Sequence, residues 1–246
     1  MALPTSKLTD RLGEALTITV SILLAFAIDA WWDGVQESNL DRAHLASVLR
    51  EMETTSALLD DAIRLHALTM DRAESVLEMT SKGELIGTEQ DLDSLINDLL
   101  NSYQINAPTG ALRAAILSGS IARIQNQELK SLLLGWEGLV EDLLEEEING
   151  FENAVIFTRW LGEHASVHGP LSISDKNVSG KRVAGPSDFT LPPSRHQAGI
   201  ATLLDSVAFE NQILLLHANG QSSRDEAVAF QEILQAAIAE LQLTID

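Results

Sequence analysis

The 246-residue sequence contains no cysteine, which excludes disulfide bonds, thiol nucleophiles, thiolate metal sites and iron–sulfur clusters. Basic residues are also few, since 16 Lys and Arg stand against 36 Asp and Glu. Nucleic-acid binding requires clustered Lys and Arg, and the sequence has no such cluster. Aromatic residues make up only 4% of the chain, and strand-like runs are scarce. The sequence therefore predicts an acidic, all-α protein that does not bind nucleic acid.

Motifs for catalysis and cofactor binding are absent as well. The sequence has no phosphate loop, no dinucleotide fingerprint and no G-x-S-x-G nucleophile motif. Ser, His and Asp residues are present, but the sequence does not place them together, so it assigns no catalytic triad. We therefore expect a non-enzymatic protein without a cofactor.

One apolar segment, residues 15–32, carries a single ionisable side chain, Asp29. About 20 mostly apolar residues in a helix cross the hydrocarbon core of a bilayer. The segment predicts a transmembrane helix over residues 14–33, with an N-terminal segment 1–13 before it and a body, residues 34–246, after it.

Basic residues around this segment predict its orientation. Lys7 and Arg11 precede it, whereas Arg42 is the first basic residue after it. The positive-inside rule then places the N-terminus in the cytoplasm and the body in the periplasm, with the span in the inner membrane. Trp31 and Trp32 suit the interface with the lipid headgroups.

A cleaved signal peptide is the alternative interpretation. Its apolar core would be Ala15–Leu24, and Ala25-Phe26-Ala27 resembles a cleavage site. Both interpretations place the body on the same side of the membrane and differ in whether it stays attached.

One face of the predicted span carries small, hydroxyl and acidic residues. Small residues allow membrane helices to approach closely, and acidic groups in a membrane usually face protein or water. The stripe is consistent with self-association, with the wall of an oligomeric pore, or with two carboxylates near the interfaces that have no special role. Its members are Glu14, Thr17, Ser21, Ala25 and Asp29.

The body is predicted to be a bundle of about four main helices with a short helical insertion. The predicted helices are Val35–Lys82, a helix capped by Thr88 that ends near Ser102, Ala111–Leu117, Gln127–Val167, and a long helix starting near Phe209. Residues 200–204 are predicted to form a short helix before the last one. Gly34 is the only breaker between the span and the first helix.

Two helices carry inner positions at alternating steps of four and three, the period of a coiled-coil-like seam. In the first helix Ser56 and His66 interrupt the seam, where polar residues can determine register. These seams predict association with a second copy or with a membrane protein partner. The first seam comprises Leu45, Leu49, Met52, Ser56, Leu59, Ile63, His66, Met70, Ala73 and Leu77. The second comprises Ile213, Leu216, Gly220, Ser223, Ala227, Phe230, Leu234, Ala237 and Leu241.

The fourth helix has an apolar stripe and an acidic run, Glu145–Glu147, which we expect to face solvent. The stripe comprises Leu129, Leu133, Trp136, Val140, Leu144, Ile148, Phe151 and Val155. Residues 168–197 follow without periodicity, and for them a functional loop, a disordered linker and a small hairpin all stay open.

Two histidines, His164 and His168, would share a helix face if the fourth helix reached the second of them. Such a pair can hold a divalent ion when a third ligand is present. An envelope metal-binding protein is therefore an alternative function, beside two ordinary surface histidines.

The sequence contains several short motifs in order along the chain: Asp29-Ala30-Trp31, Pro108-Thr109-Gly110, Ser118-Gly119, Ile124 and Asn126 to Leu129. These motifs resemble a bacterial family of membrane-anchored helical proteins catalogued as domain of unknown function 6090. The resemblance covers most of the chain, thins out in 168–197, and departs from the family in its acidic charge. It implies an anchored helical body and carries no activity.

Overall fold

A computed structural model describes most of the chain, and all statements below concern its described residues. These are residues 5–100, 105–173, 175–178, 181–184, 194–196 and 198–245. The fold is a helical bundle, so the predicted all-α class is confirmed. A helix occupies each predicted helical segment, but the one expected to end near Val167 ends at His164, and residues 200–203 form a 3-10 helix.

Six α-helices and one hairpin make up the described chain. The helices are α1 (Thr5–Lys82), α2 (Glu89–Leu99), α3 (Gly110–Leu117), α4 (Gln127–His164), α5 (His168–Ser172) and α6 (Val207–Ile245). The hairpin pairs β1 (Asp175–Val178) antiparallel with β2 (Lys181–Ala184). Short 3-10 turns cover Ile121–Arg123 and Ile200–Leu203.

Helix α1 runs unbroken through Gly34, where an added Cβ would meet nothing within 4 Å. Its 78 residues extend for about 117 Å at 1.5 Å per residue. Residues 16–40 are exposed on every face, and burial begins with Asp41 and Leu45. The helix therefore has an uncovered N-terminal part and a packed C-terminal part.

The packed part of α1 lies along α6, and α4 packs on α6. The two helices α1 and α6 run antiparallel, because Ser56 contacts Gln231 while Glu74 contacts His217. Helices α2 and α3 pack against α1.

Side chains cap the N-termini of α2 and α4. Thr88 forms a capping box with Asp91, and Asn126 accepts hydrogen bonds from two N–H groups of α4. At α3 the N-cap residue Thr109 makes no side-chain cap bond. Instead Glu51 of α1 accepts from the N–H groups of Ala111 and Leu112 at 2.7 and 3.0 Å. A carboxylate at a helix N-terminus is favourable because it faces the positive end of the macrodipole.

Both predicted seams are used inside the chain. All nine predicted positions of α6 are buried, and the helix is continuous across Asn219-Gly220. In α1 four further residues are buried, and each lies one position before a predicted seam residue. The buried face of α1 is therefore wider than expected. These four are Val48, Thr55, Ala62 and Val76.

The predicted stripe of α4 is wrong in its second half. Ile148, Phe151 and Val155 are exposed, although the sequence placed them in the core. After Val140 the predicted stripe takes two successive steps of four, to Leu144 and Ile148, whereas the buried positions continue with steps of three and four. The predicted positions therefore rotate by about 80° from Leu129 to Val155, at 100° per residue. In the second half of α4 the buried residues are instead Leu143, Glu147, Ala154, Phe157 and Leu161.

The segment 168–197 contains α5 and the hairpin, which is one of the three expected arrangements. Arg195 is exposed. The side chains at 176, 181 and 182 lie outside the described part of the structure.

Candidate functional site

Two hydrophobic clusters fill the body. The proximal cluster, nearer the apolar part of α1, includes Leu59, Leu133 and Leu234, and the distal cluster includes Phe157 and Phe209. Between them lies a polar layer contributed by the three long helices. The layer consists of His66 from α1, Glu147 from α4, and Asn219, Ser223 and Glu226 from α6.

The centre of the polar layer is a buried pair. His66 Nε2 lies 2.8 Å from Glu147 Oε1, and the two side chains are 12% and 1% exposed. Glu147 Oε2 is buried with no hydrogen-bond partner among the described residues. The expectation of a fully solvated run at 145–147 is therefore wrong for Glu147. It is buried because residue 147 follows Leu143 by four positions, on the helix face that enters the core.

Glycines bring the helices close at this layer. A Cβ added at Gly220 would lie 3.3 Å from Met70 Cγ and 3.7 Å from the carbonyl oxygen of His66. On α4, a Cβ at Gly150 would lie 3.8 Å from Ser223 Oγ. The close approach of α1 and α6 therefore leaves little room for a side chain at position 220.

Glu226 occupies the edge of the layer that faces the acidic side of α4. Partial burial raises the pKa of its carboxyl group, and the neighbouring carboxylates of Glu146, Asp142, Glu145 and Glu147 raise that pKa further. Like charges close together disfavour ionisation. Protons therefore bind this part of the bundle more readily than they bind an isolated carboxylate.

The other predicted polar seam position, Ser56, also meets partners on α6. Its Oγ accepts hydrogen bonds from Gln231 Nε2 at 3.0 Å and from Gln235 Nε2 at 2.8 Å. Gln231 Nε2 also lies 3.0 Å from Asp60 Oδ1. Both interruptions of the α1 seam thus contact a side chain of another helix.

A second polar network joins α1 to the turn after α3, and no pattern in the sequence indicated it. Arg123 Nε donates to Asp41 Oδ2 at 2.6 Å, and Ser120 Oγ donates to Asp41 Oδ1 at 2.8 Å. His44 Nδ1 lies 2.9 Å from Ser120 Oγ and 3.1 Å from Ser118 Oγ. The hydrogen bond from Arg123 lowers the pKa of Asp41.

This junction network, formed by Asp41, His44, Ser118, Ser120 and Arg123, is not a hydrolase triad. A triad needs the carboxylate to orient the histidine, whereas Asp41 accepts from Ser120 and Arg123. The network instead ties the first packed turn of α1 to the body.

The candidate metal ligands do not share one helix. His164 is the last residue of α4, and His168 is the first residue of α5. His164 Nδ1 lies 2.7 Å from the Trp160 carbonyl oxygen, and its ring stacks on Trp160. Among the described residues, no three His, Asp or Glu side chains are arranged to hold a metal ion.

The N-terminal part of α1 is the one described helix long and apolar enough to cross a membrane. The side chains of Thr17, Ser21, Ala25 and Asp29 are exposed, while the side chain at position 14 lies outside the described part. Ser21 Oγ donates to the Thr17 carbonyl oxygen at 2.8 Å. The rings of the exposed pair Trp31 and Trp32 lie 6.3 Å apart.

Comparisons with protein-family profiles, with curated proteins and with solved structures give no match for this chain. The resemblance to domain of unknown function 6090 therefore stays a prediction.

Proposed function

We propose that this protein is a non-enzymatic, single-pass membrane protein whose periplasmic helical body acts as a scaffold, sensor or complex subunit. Its partners would be the lipid bilayer of the inner membrane and a second copy or another membrane protein. The observation that carries this proposal is the continuity of α1 from its exposed apolar part into the body.

The continuity of α1 supports coupling between the span and the body. A regular helix is a stiff element, so a displacement of the span is passed to the packed residues. The junction network adds to this coupling, because Arg123 contacts both Glu37 and Asp41 on α1. A flexible linker at this point would uncouple the two parts.

We propose that a second copy or partner associates through the membrane span and not through the seams of α1 and α6. The seam positions of α1 and α6 are occupied by contacts within the chain, so they are not free for a second copy. The stripe of Thr17, Ser21 and Ala25 is exposed, and small and hydroxyl side chains favour close packing between membrane helices. We therefore expect helix association to use this stripe.

Single cysteines can test the stripe, because the native chain has none. The variants are Ser21→Cys and Ala25→Cys on the stripe, with Leu23→Cys as the control. Ser21 and Leu23 are about 200° apart around the helix. Oxidative crosslinking in membranes is expected to give several times more dimer for the two stripe variants than for Leu23→Cys.

Two results would contradict the proposal. Equal or absent dimer in all three variants would remove association through the stripe. An intact mass that places the N-terminus of the mature protein at Ile28 would remove the anchor itself, because cleavage would then follow Ala27.

A further inference from the structure

The second half of α4 presents an apolar face to solvent. This α4 face consists of Ile148, Phe151 and Val155, whose exposed fractions are 48%, 46% and 39%. The three residues lie within about 60° of one another around the helix and extend over about 10 Å along its axis. Exposed apolar side chains are ordinary when scattered, whereas a row of them on one face indicates a contact surface.

Acidic side chains border the α4 face on one side. This acidic line consists of Glu141, Glu145 and Glu152, which are exposed and lie on average about 70° further around α4. Among the described residues, no ion pair includes any of these three carboxylates. Arg159 adds one exposed positive charge at the far end of the line, so the border stays acidic.

The first half of α4 shows what packs beside such a face. Val155 follows Glu137 by 18 positions, which is about five turns, so the two residues lie at the same angle around α4. At Glu137 helix α3 reaches α4, since Arg113 donates to Glu137 Oε1 from Nη2 at 2.9 Å and from Nε at 3.2 Å. Leu112 of α3 belongs to the same hydrophobic cluster as Leu133 of α4. Helix α3 therefore brings an apolar side chain and a cation to this side of α4.

Helix α3 does not continue onto the second half of α4. Its N-terminus contacts Glu51 of α1, and Ser118, just past its C-terminus, contacts His44. It therefore runs toward the uncovered part of α1 and away from the α4 face. The α4 face thus repeats the pattern of apolar and acidic residues that α3 meets, without a described helix packed on it.

We propose that the α4 face and its acidic line bind an amphipathic helix of a partner protein that carries a basic flank. The partner's apolar side chains contact the α4 face, and its Lys or Arg side chains contact the acidic line, as Arg113 contacts Glu137. Recognition of amphipathic helices uses anchors three, four and seven positions apart, which is the spacing of the α4 face. This inference goes beyond the proposed function and does not depend on association through the membrane span.

The charges favour this occupant over two others. A second copy of this chain, with 36 acidic and 16 basic residues, brings mainly like charge to the acidic line. Anionic lipid headgroups also bring negative charge. A basic flank instead pairs with carboxylates that have no cation among the described residues.

Fluorescence anisotropy of a labelled peptide measures binding to the full chain in detergent micelles. The probe is a helical peptide of about three heptads with Leu at the seam positions and Lys on the flanks, and the control peptide carries Glu in place of Lys. The micelles are the same for every variant, so differences between variants report the protein surface. Phe151→Ser is expected to weaken binding of the Lys peptide by about tenfold. Leu134→Ser, at an exposed position in the first half of α4, is expected to keep the native affinity.

A double charge reversal tests the acidic line. Glu145→Lys with Glu152→Lys is expected to bind the Glu peptide more tightly than the Lys peptide, because the border of the α4 face then has the opposite sign. The control is Glu53→Lys with Glu232→Lys, which makes the same change in net charge at exposed positions on α1 and α6. This control is expected to keep the preference for the Lys peptide.

Three results would overturn the proposal. The first is equal binding by Phe151→Ser and Leu134→Ser, and the second is the same peptide preference in both double reversals. The third is a dimer of the native protein that Phe151→Ser abolishes, because the α4 face would then belong to a second copy. If Phe151→Ser does not fold, Val155→Ser takes its place on the same face.

Discussion

Replacement of His66 by leucine should destabilise the body more than replacement of both His66 and Glu147. The single variant His66→Leu leaves a carboxylate that is 1% exposed and has lost the one partner it has among the described residues. The double variant His66→Leu with Glu147→Leu leaves two apolar side chains between two apolar clusters. The sign of the difference follows from the desolvation of a buried charge.

The magnitude can be estimated from burial. Removing the one partner of a buried carboxylate costs about 3–5 kcal/mol because it leaves an uncompensated buried charge, whereas apolar replacement of both residues is often neutral. For a body of this size 1 kcal/mol shifts the Tm by about 3 °C. We therefore expect His66→Leu to lower the Tm by about 12 °C and the double variant to lie within about 3 °C of the native protein.

Circular dichroism of the full chain in detergent micelles measures these shifts. The control is His217→Leu, which removes the pair that His217 forms with Glu74, whose side chain is 64% exposed. Exposed pairs contribute about 0–1 kcal/mol, so this control should change the Tm by at most about 3 °C. A double variant that loses as much stability as His66→Leu alone would refute the reasoning.

Two further predictions concern the backbone and a cap. Gly83 has a φ of +64°, and an added Cβ would lie 2.5 Å from Asp205 Oδ1, so Gly83→Ala should lower the Tm. The control Gly162→Ala, where a Cβ meets nothing within 4 Å, should raise stability by about 0.5–1 kcal/mol. Asn126→Ala removes the cap of α4 and a contact with Glu240, and should cost about 1 kcal/mol in urea unfolding.

The buried face of α6 could be predicted from the sequence because its phase is unbroken. The dipeptide Asn219-Gly220 is typical of a turn, yet α6 continues through it. Because Met70 Cγ of α1 would lie only 3.3 Å from a Cβ added at Gly220, packing explains the glycine better than a turn does. In this helix the long-range period outweighed local propensity.

The polar sites could not be predicted because their partners are distant in the chain. His66 and Glu147 are 81 residues apart, and Asp41 and Arg123 are 82 residues apart. One sequence contains no signal for such pairings, and the acidic run alone indicated a solvated face. The interruption at His66 was visible as a polar residue in an apolar seam, but its partner was not.

The polar layer separates the proximal and distal halves of the body. The proximal half is joined to the uncovered part of α1 through Asp41 and Arg123. The distal half reaches the proximal one through α1, α4 and α6, across a layer with fewer apolar contacts than either cluster. Local opening begins where buried apolar contacts are few, so this layer is where the bundle should open first. A scaffold requires a stiff layer and a sensor requires one that responds to a stimulus. The strength of the His66–Glu147 pair therefore helps to distinguish these two proposed roles.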